Sequence, residues 1–256
     1  MRFGEPSMRI ALISDIHGNL VSLEAVLDDI DKNQVDQIIC LGDVVTTGPQ
    51  PHEVVVRLKR LNCPGVTGNH DSSLLEPELI QARHQSRWAE TLDWCEQQLS
   101  NGDLNYLRSF QSWIKVPLDK THNLLCFHGS PKANTDFILP TTPDDELRAM
   151  LEGHTATLMA GGHTHVQMLR RTRDSLIINA GSVGLPFDRY LPNATEKRVV
   201  PWAEYAIITR ATGGLSVDFR RIPIDFEAVK QATAASGNPY NWLSCWFTPD
   251  ERSDNF

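Results

Sequence analysis

The chain lacks what would mark a disulfide-stapled, membrane-spanning or nucleic-acid-tracking protein. Its five cysteines, Cys40, Cys63, Cys95, Cys126 and Cys245, are odd in number and include no Cys-x-x-Cys pair, which argues against a disulfide framework and a thiolate zinc site. Positive charge is scarce: 24 Lys and Arg against 32 Asp and Glu give a formal net charge of −8, the wrong sign for following an extended DNA or RNA backbone. No apolar run reaches the ~18 residues of a membrane span, and the first seven residues carry no stretch of signal-peptide character. Repeats, low-complexity tracts and Pro- or Ser-rich linkers are also missing. The expectation is a soluble, unexported protein of a reducing cytoplasm, with no extended nucleic acid and no membrane among its partners.

What is present suits a globular α/β chain. At 41% hydrophobic residues over 256 positions, a sizeable core is available. Short apolar runs at Ile10–Ser14, Gln37–Leu41, Leu124–Phe127, Thr157–Ala160 and Leu176–Asn179 have the length of buried strands, and each ends in a polar or glycine cluster. Leu20, Leu23, Val26, Leu27 and Ile30 are spaced as one face of a helix, with Asn19 at the N-cap position. A second helix is expected from Pro51, with Val54, Val55, Leu58 and Leu61 inward. Pro64 to Thr67 reads as a short strand, and Trp88, Leu92, Cys95 and Leu99 as a helix over the sheet, continued by Leu104, Leu107 and Phe110. Glu204–Thr209 and Leu215–Ile222 read as a hairpin, followed by a closing helix through Phe226, Val229 and Ala232. These elements predict one α/β domain over 8–236, with 1–7 an extension and 237–256 a tail.

The polar chemistry gathers in five places: Asp15-Ile16-His17, Gly42-Asp43, Gly68-Asn69-His70-Asp71, His128-Gly129 and Gly162-His163-Thr164-His165. Each lies just past the carboxyl end of an expected strand, where open α/β sheets place their ligand crevice. Taken singly, each cluster also reads as a turn, a helix cap or a partly buried histidine. Taken together they pool carboxylate, amide and imidazole donors without thiolate, a set suited to Mn, Fe, Co, Ni or Zn. On extended backbone, residues two apart share a face, so the spacing predicts that Asp15 and His17 grip one ion and that His163 and His165 do likewise. Seven candidate ligands exceed one tetrahedral ion, which points to two divalent ions with Asp43 as a possible bridge.

The order of these motifs resembles that of the calcineurin-like metallophosphoesterases, over Met8 to about Ile222. The stretches Gly42 to Pro51 and Asn179 to Pro186 are similar to the small bacterial members. The resemblance implies a four-layer α-β-β-α sandwich with mixed sheets. It implies a first metal held by Asp15, His17, Asp43 and His165, and a second held by Asp43, Asn69, His128 and His163. His70 would be the general acid, with Asp71 orienting its imidazole and keeping it protonated. The implied reaction is hydrolysis of a phosphate ester by a metal-bridging hydroxide, on a small phosphorylated or nucleotide substrate. A serine/threonine phosphoprotein phosphatase and a non-catalytic, metal-stiffened binding scaffold are the alternatives.

Other residues are assigned more modest parts. Arg189 is a candidate phosphate clamp, because a guanidinium grips phosphate bidentately. Cys40 and Cys126 lie inside apolar runs and are expected as inert core. His52, His84, His122 and His154 match no motif, and Arg170, Arg171 and Arg173 read as a solvated strand edge.

Overall fold

The computed structural model describes residues 8–76, 87–188, 198–240 and 243. Among them, nine strands form two mixed sheets. The first sheet has the order β2-β1-β8-β9, built from β1 (Met8–Ile13), β2 (Gln37–Cys40), β8 (Trp202–Ala211) and β9 (Gly214–Pro223). The second has the order β3-β4-β5-β7-β6, built from β3 (Trp113–Pro117), β4 (Asn123–Phe127), β5 (Leu158–Gly161), β6 (Met168–Arg171) and β7 (Leu176–Asn179). β1 runs parallel to β2, and β4, β5 and β7 run parallel to one another. Carboxyl ends are thereby collected at one edge of each sheet.

Both faces of the central strands are apolar, and the period-2 alternation of a strand sorts those faces into separate cores. From β1, Ile10 and Leu12 pack between the sheets with Ile39, Leu124, Leu158, Ala160 and Ile178. Ala11 and Ile13 face the other way, into a core closed by helices α1 (Leu20–Asn33) and α2 (Pro51–Arg60) through Leu23, Val26, Val54 and Leu58. On the far side of the second sheet, Leu125, Phe127, Met159 and Ile177 pack on Leu147 of α6 (Asp144–Met150). The result is helix, sheet, sheet, helix, the four-layer arrangement that the family resemblance implied.

Local signals placed most of these elements. Asn19 caps α1, its side-chain oxygen accepting from the Ser22 amide at 3.1 Å, and Pro51 occupies the first turn of α2, where its missing N–H costs nothing. The helical excursion is α4 (Arg87–Gln98) and α5 (Asn101–Arg108), the second opened by a Ser100–Asp103 capping box. The hairpin β8–β9 closes on the Ala211–Gly214 pair, and α7 (Phe226–Ser236) starts from an Asp225 cap and ends at left-handed Gly237. Two expectations change. Residues 64–67 make only isolated bridges, Gly65 to Cys40 and Val66 to Gln111. Asn69-His70-Asp71, which taken alone also reads as a turn, opens the short helix α3 (Asn69–Leu75), where the Asp71 carboxylate reaches back to accept from the Gly68 amide at the helix start.

Of the edge strands of the second sheet, β3 was not expected from the sequence, and β6 only as the strand edge read at Arg170 and Arg171. β3 alternates exposed and half-buried residues, and β6 exposes Leu169 while Arg170 reaches Asp144 and the Leu139 carbonyl. Neither is the continuous apolar run that marks a central strand. Among the described residues, no helix is long and apolar enough to cross a membrane.

Leu12 is fully buried between the sheets, so its loss opens a cavity that neither sheet can readily close. Leu12→Ala is expected to lower stability by about 2–5 kcal/mol, measured as a shift in the urea midpoint at unchanged slope.

Candidate metal centre

Seven side chains from five separate segments meet at the carboxyl edge of both sheets. Asp15 and His17 follow β1, Asp43 follows β2, Asn69 opens α3, His128 follows β4, and His163 and His165 follow β5. Parallel neighbours bring Asp15 beside Asp43 and His128 beside His163, and stacking of the two sheets joins the pairs. Asp15, His17, Asp43, His128 and His165 are buried, whereas Asn69, His70 and His163 are half-buried.

The donor atoms fall into two groups that share Asp43. Asp15, His17, Asp43 and His165 make one, and Asp43, His128 and His163 make the other, with the ligand atoms of each group within 4.8 Å of one another. Asp43 Oδ2 lies 3.8 Å from His17 Nε2 and 3.3 Å from His128 Nε2. Asp15 Oδ1 lies 3.2 Å from His165 Nε2 and 4.0 Å from His128 Nε2. The Asn69 amide oxygen is 3.0 Å from His128 Nε2, which adds an oxygen donor beside the second group. His163 and His165 therefore serve different groups, a departure from the shared grip that their spacing predicts.

The reason lies in the backbone. Asp15, His17, Asp43, His163 and His165 all have positive φ, between 50° and 68°, a region that non-glycine residues adopt rarely and at a cost of order 1–3 kcal/mol each. They are therefore not extended, and the alternation expected for a strand does not apply to them. Each of these five side chains is carried on a left-handed residue, held in place by backbone bonds such as Asp15 N to Gly42 O (2.9 Å) and His17 N to Asp43 O (3.0 Å). Gly68 and Gly162 allow the close approach that follows. A Cβ on Gly68 would collide with the Asp43 carboxylate, and one on Gly162 with Ser14 and the Asp15 carboxylate.

Hydrogen bonds outside the cluster fix which ring nitrogens face inward. His128 Nδ1 lies 2.7 Å from the Leu41 carbonyl, and His165 Nδ1 lies 2.7 Å from the Leu185 carbonyl. A carbonyl only accepts, so each Nδ1 carries a proton, which turns Nε2 toward the cluster as the nitrogen available to a cation. Asp15 Oδ2 accepts from Ser14 Oγ at 2.6 Å and from the His163 amide at 3.0 Å, and Asp43 Oδ1 accepts from the His70 amide at 2.8 Å. The other oxygen of each carboxylate is left for the centre. Asp15 Oδ1 and His163 Nε2 are buried without a hydrogen-bond partner, an arrangement costly for a purely structural cluster and suited to holding cations. The donor set fits divalent transition ions.

The protonation states agree. Burial raises the Asp15 carboxyl, but the nearby charge of His165 and then that of His128 outweigh it and hold Asp15 down at about 2. Burial likewise raises Asp43, and His128 and His70 pull it well below the usual range. Burial depresses His17 well below 6.5, helped by the charges of His70 and His165, and depresses His163 to about 4. His128 is the exception: against the desolvation of burial, Asp43 and then Asp15 raise it to about 10. A proton on His128 thus occupies the place between the carboxylates that a cation would take.

His70 stands at this cluster, its ring 4.7 Å from that of His17. Its expected partnership with Asp71 is corrected. Asp71 is fully buried and accepts from the amides of Asp43 (2.8 Å), Val44 (3.0 Å) and Gly68 (3.1 Å), so it braces the Asp43 loop on α3. Burial and the charge of Asp43 push its carboxyl up to about 7. The neighbour of His70 Nδ1 is the Thr46 hydroxyl at 2.7 Å. Burial also lowers the His70 pKa rather than sustaining its proton. Thr46, left-handed at φ 72°, carried no motif, and only its position three residues after Asp43 could have marked it.

Two other polar side chains complete the support. The Ser182 hydroxyl donates to the Asp15 carbonyl at 2.7 Å, and Asn179 Nδ2 bonds the Gly162 carbonyl and Thr164. Both belong to a stretch noted in the sequence without an assigned task. Two phenylalanines were missed: Phe187 stacks on His165 at 4.5 Å and 15°, and Phe137 meets His163 at 4.3 Å. Elsewhere, His52 pairs with Asp103 and His122 with Asp119, away from the cluster. Cys40 and Cys126 are buried core thiols whose pKa burial raises. Arg189 and His84 lie outside the described residues.

Fold and site together define a metal-dependent phosphoester hydrolase. The model of the calcineurin-like phosphoesterase superfamily domain matches residues 8–195, and the chain belongs to that family. It is 32% identical over 187 residues to a protein of Methanocaldococcus jannaschii, a match covering 72% of this chain and 74% of the relative. It is 31% identical over 154 residues to the symmetrical bis(5'-nucleosyl)-tetraphosphatase of Erwinia tasmaniensis, covering 59% of this chain and 55% of that enzyme, so it spans about half the length of that relative. A metallophosphoesterase from Sphaerobacter thermophilus superimposes with a TM-score of 0.72 at 27% identity, covering 94% of this chain and 98% of the other.

Because the His128 proton must leave before an ion can bind, metal affinity is coupled to pH. The apparent affinity for Mn²⁺ is expected to rise about tenfold per pH unit between about 6 and 9, with uptake of the metal releasing about one proton. Calorimetry in buffers of differing ionisation enthalpy measures both, and a pH-independent affinity would contradict the assignment.

Proposed function

We propose that the protein hydrolyses phosphate esters of small molecules, nucleotides among them, at a centre of two divalent ions. Asp15, His17, Asp43 and His165 would hold one ion, and Asp43, Asn69, His128 and His163 the other, drawn from Mn, Fe, Zn, Co and Ni. The observation that carries this reading is the Asp43 carboxylate, which belongs to both donor groups. The tetraphosphatase relative supports a nucleotide substrate, and the buried, unbridged Cys40, Cys63, Cys95 and Cys126 support a reducing, cytoplasmic setting. We take 8–236 as the working unit.

Ions bound there would activate water and neutralise the phosphoryl oxygens. The chain supplies the rest. Asp15 and Asp43 stay ionised to low pH and keep the centre attractive to cations, while the carbonyls of Leu41 and Leu185 hold His128 and His165 in the ligating tautomer. Burial of the inner ligands excludes bulk water and strengthens their electrostatic interactions. His70 sits on the half-buried side beside Thr46 and donates a proton to the departing alkoxide. Since burial lowers its pKa, this role requires the negative charge of a bound phosphate to favour the protonated imidazole. A positioned acid of this kind contributes about 10²–10⁴ in rate.

Asp43→Asn is expected to lower metal content and activity together. His70→Ala should keep both metals and lose about 10²-fold or more in kcat toward esters with poor leaving groups, and much less toward aryl esters. Metal analysis alongside kinetics on mono- and diesters measures these effects. Full metal occupancy with no hydrolysis of any ester would instead mark a binding scaffold.

A further inference from the structure

The loop after Asp43 is held by two sets of hydrogen bonds, and only one of them belongs to the centre described above. Thr46 and Thr47 both lie in the left-handed region, at φ 72° and 62°, a costly conformation for two consecutive β-branched residues. One set of bonds ties the loop to the segment carrying His17: the Gly48 amide donates to the His17 carbonyl at 2.8 Å, and the Gln50 amide to the Gly18 carbonyl at 2.8 Å. In the other set, the carbonyls of Thr47 and Gly48 accept from one side-chain amide, Asn238 Nδ2, at 2.7 and 3.1 Å. Those two bonds span 191 and 190 residues of sequence. They join a segment near the end of the chain to the loop whose Thr46 hydroxyl stands 2.7 Å from His70 Nδ1.

Asn238 is itself well fixed. It follows α7, which ends at left-handed Gly237 (φ 69°), and α7 is seated through Val229, buried in one apolar cluster with Leu185 and Val199. Asn238 Oδ1 accepts from the Tyr240 amide at 2.8 Å, and the Asn238 backbone amide donates to Ser236 Oγ at 3.1 Å. With its oxygen engaged by a donor, the side-chain amide has one orientation, and Nδ2 is left to meet the two carbonyls. Ending α7 requires only Gly237 and the local bonds to Ser236 and Tyr240. The bonds to residues 47 and 48 add nothing to the helix and fix the distant loop instead.

We infer that Asn238 is a positioning residue for His70: by tying down the Thr47 and Gly48 carbonyls it sets the place of the Thr46 hydroxyl, and through that hydroxyl the ring that protonates the departing group. In a protonated imidazole both nitrogens carry hydrogen, so Nδ1 donates to Thr46 Oγ1 and Nε2 keeps a proton to give. A ring held in one orientation offers that proton in productive geometry more often than a ring free to turn. The inference rests on the phosphoesterase reading and carries the working unit past residue 236, into the segment expected as a tail.

Steady-state kinetics of the Mn²⁺-loaded full chain on an alkyl and an aryl phosphate ester test it, because a good aryl leaving group needs little protonation. Asn238→Ala should lower kcat toward the alkyl ester about 10-fold, a part of the ~10²–10⁴ that a positioned acid contributes, with KM, metal content and the aryl ester little changed. Asn238→Asp keeps the bond to the Tyr240 amide but sets a carboxylate against two carbonyls, and should lose at least as much. In a chain already carrying Thr46→Val, which removes the hydroxyl, Asn238→Ala should cost less than about twofold more, since residues acting through one contact are not additive. In the metal-free chain, Asn238→Ala should also speed hydrogen exchange at the Gly48 amide, a local loosening that needs no turnover to be seen. An unchanged alkyl kcat in both variants, an equal fall on both esters, an undiminished loss in the Thr46→Val background, or unchanged exchange at Gly48 would overturn the inference while leaving the phosphoesterase reading intact. No hydrolysis of either ester by the wild type would overturn both.

Discussion

Two buried carboxylates set the terms for this molecule. Asp15 and Asp43 are almost wholly removed from water, and isolated charges in such a place would cost several kcal/mol each. The fold meets that cost with imidazoles: His165 lies 3.2 Å from Asp15 and His128 lies 3.3 Å from Asp43. It meets it only in part, since Asp15 Oδ1 accepts no hydrogen bond and His128 must hold a proton to balance the pair. The site is thus built for more positive charge than the polypeptide carries.

Keeping such a cluster assembled requires that its backbone be overdetermined. Five of the ligand candidates sit in the left-handed region, adjacent loops lean on each other through short main-chain bonds, and Asp71 clamps the Asp43 loop to α3. Strain of this kind persists only where the surroundings supply the free energy. Here they are the three apolar cores on either side of and between the sheets, whose central strands are buried on both faces. The packing of β1, β2, β4 and β5 is what places the polar residues that follow them.

Much of this was legible in the sequence, for physical reasons. The central strands announce themselves as apolar runs because they are buried on both faces, and Asn19 and Pro51 mark helix starts by local hydrogen bonding or ring geometry. The convergence of Asp15, Asp43, Asn69, His128 and His163 followed from strand ends alone. What could not be read is non-local. The sandwich came from family resemblance rather than periodicity. The positive φ at Asp15, His17, His163 and His165 depends on loops that are distant in sequence, so the assumption of extended backbone placed His163 and His165 on one ion. Asp71, adjacent to His70 in the chain, turns to amides of residues 43 and 44, while Thr46 approaches the imidazole across 24 residues. Edge strands β3 and β6 lack a two-faced core and so lack its signature.

The account depends most on Asp43 joining two ions, and that is open to direct spectroscopic test. Electron paramagnetic resonance of the protein reconstituted with two equivalents of Mn²⁺ should show an exchange-coupled pair, as a shared carboxylate requires. A spectrum of magnetically isolated ions at full occupancy, or binding that saturates at one ion, would contradict it.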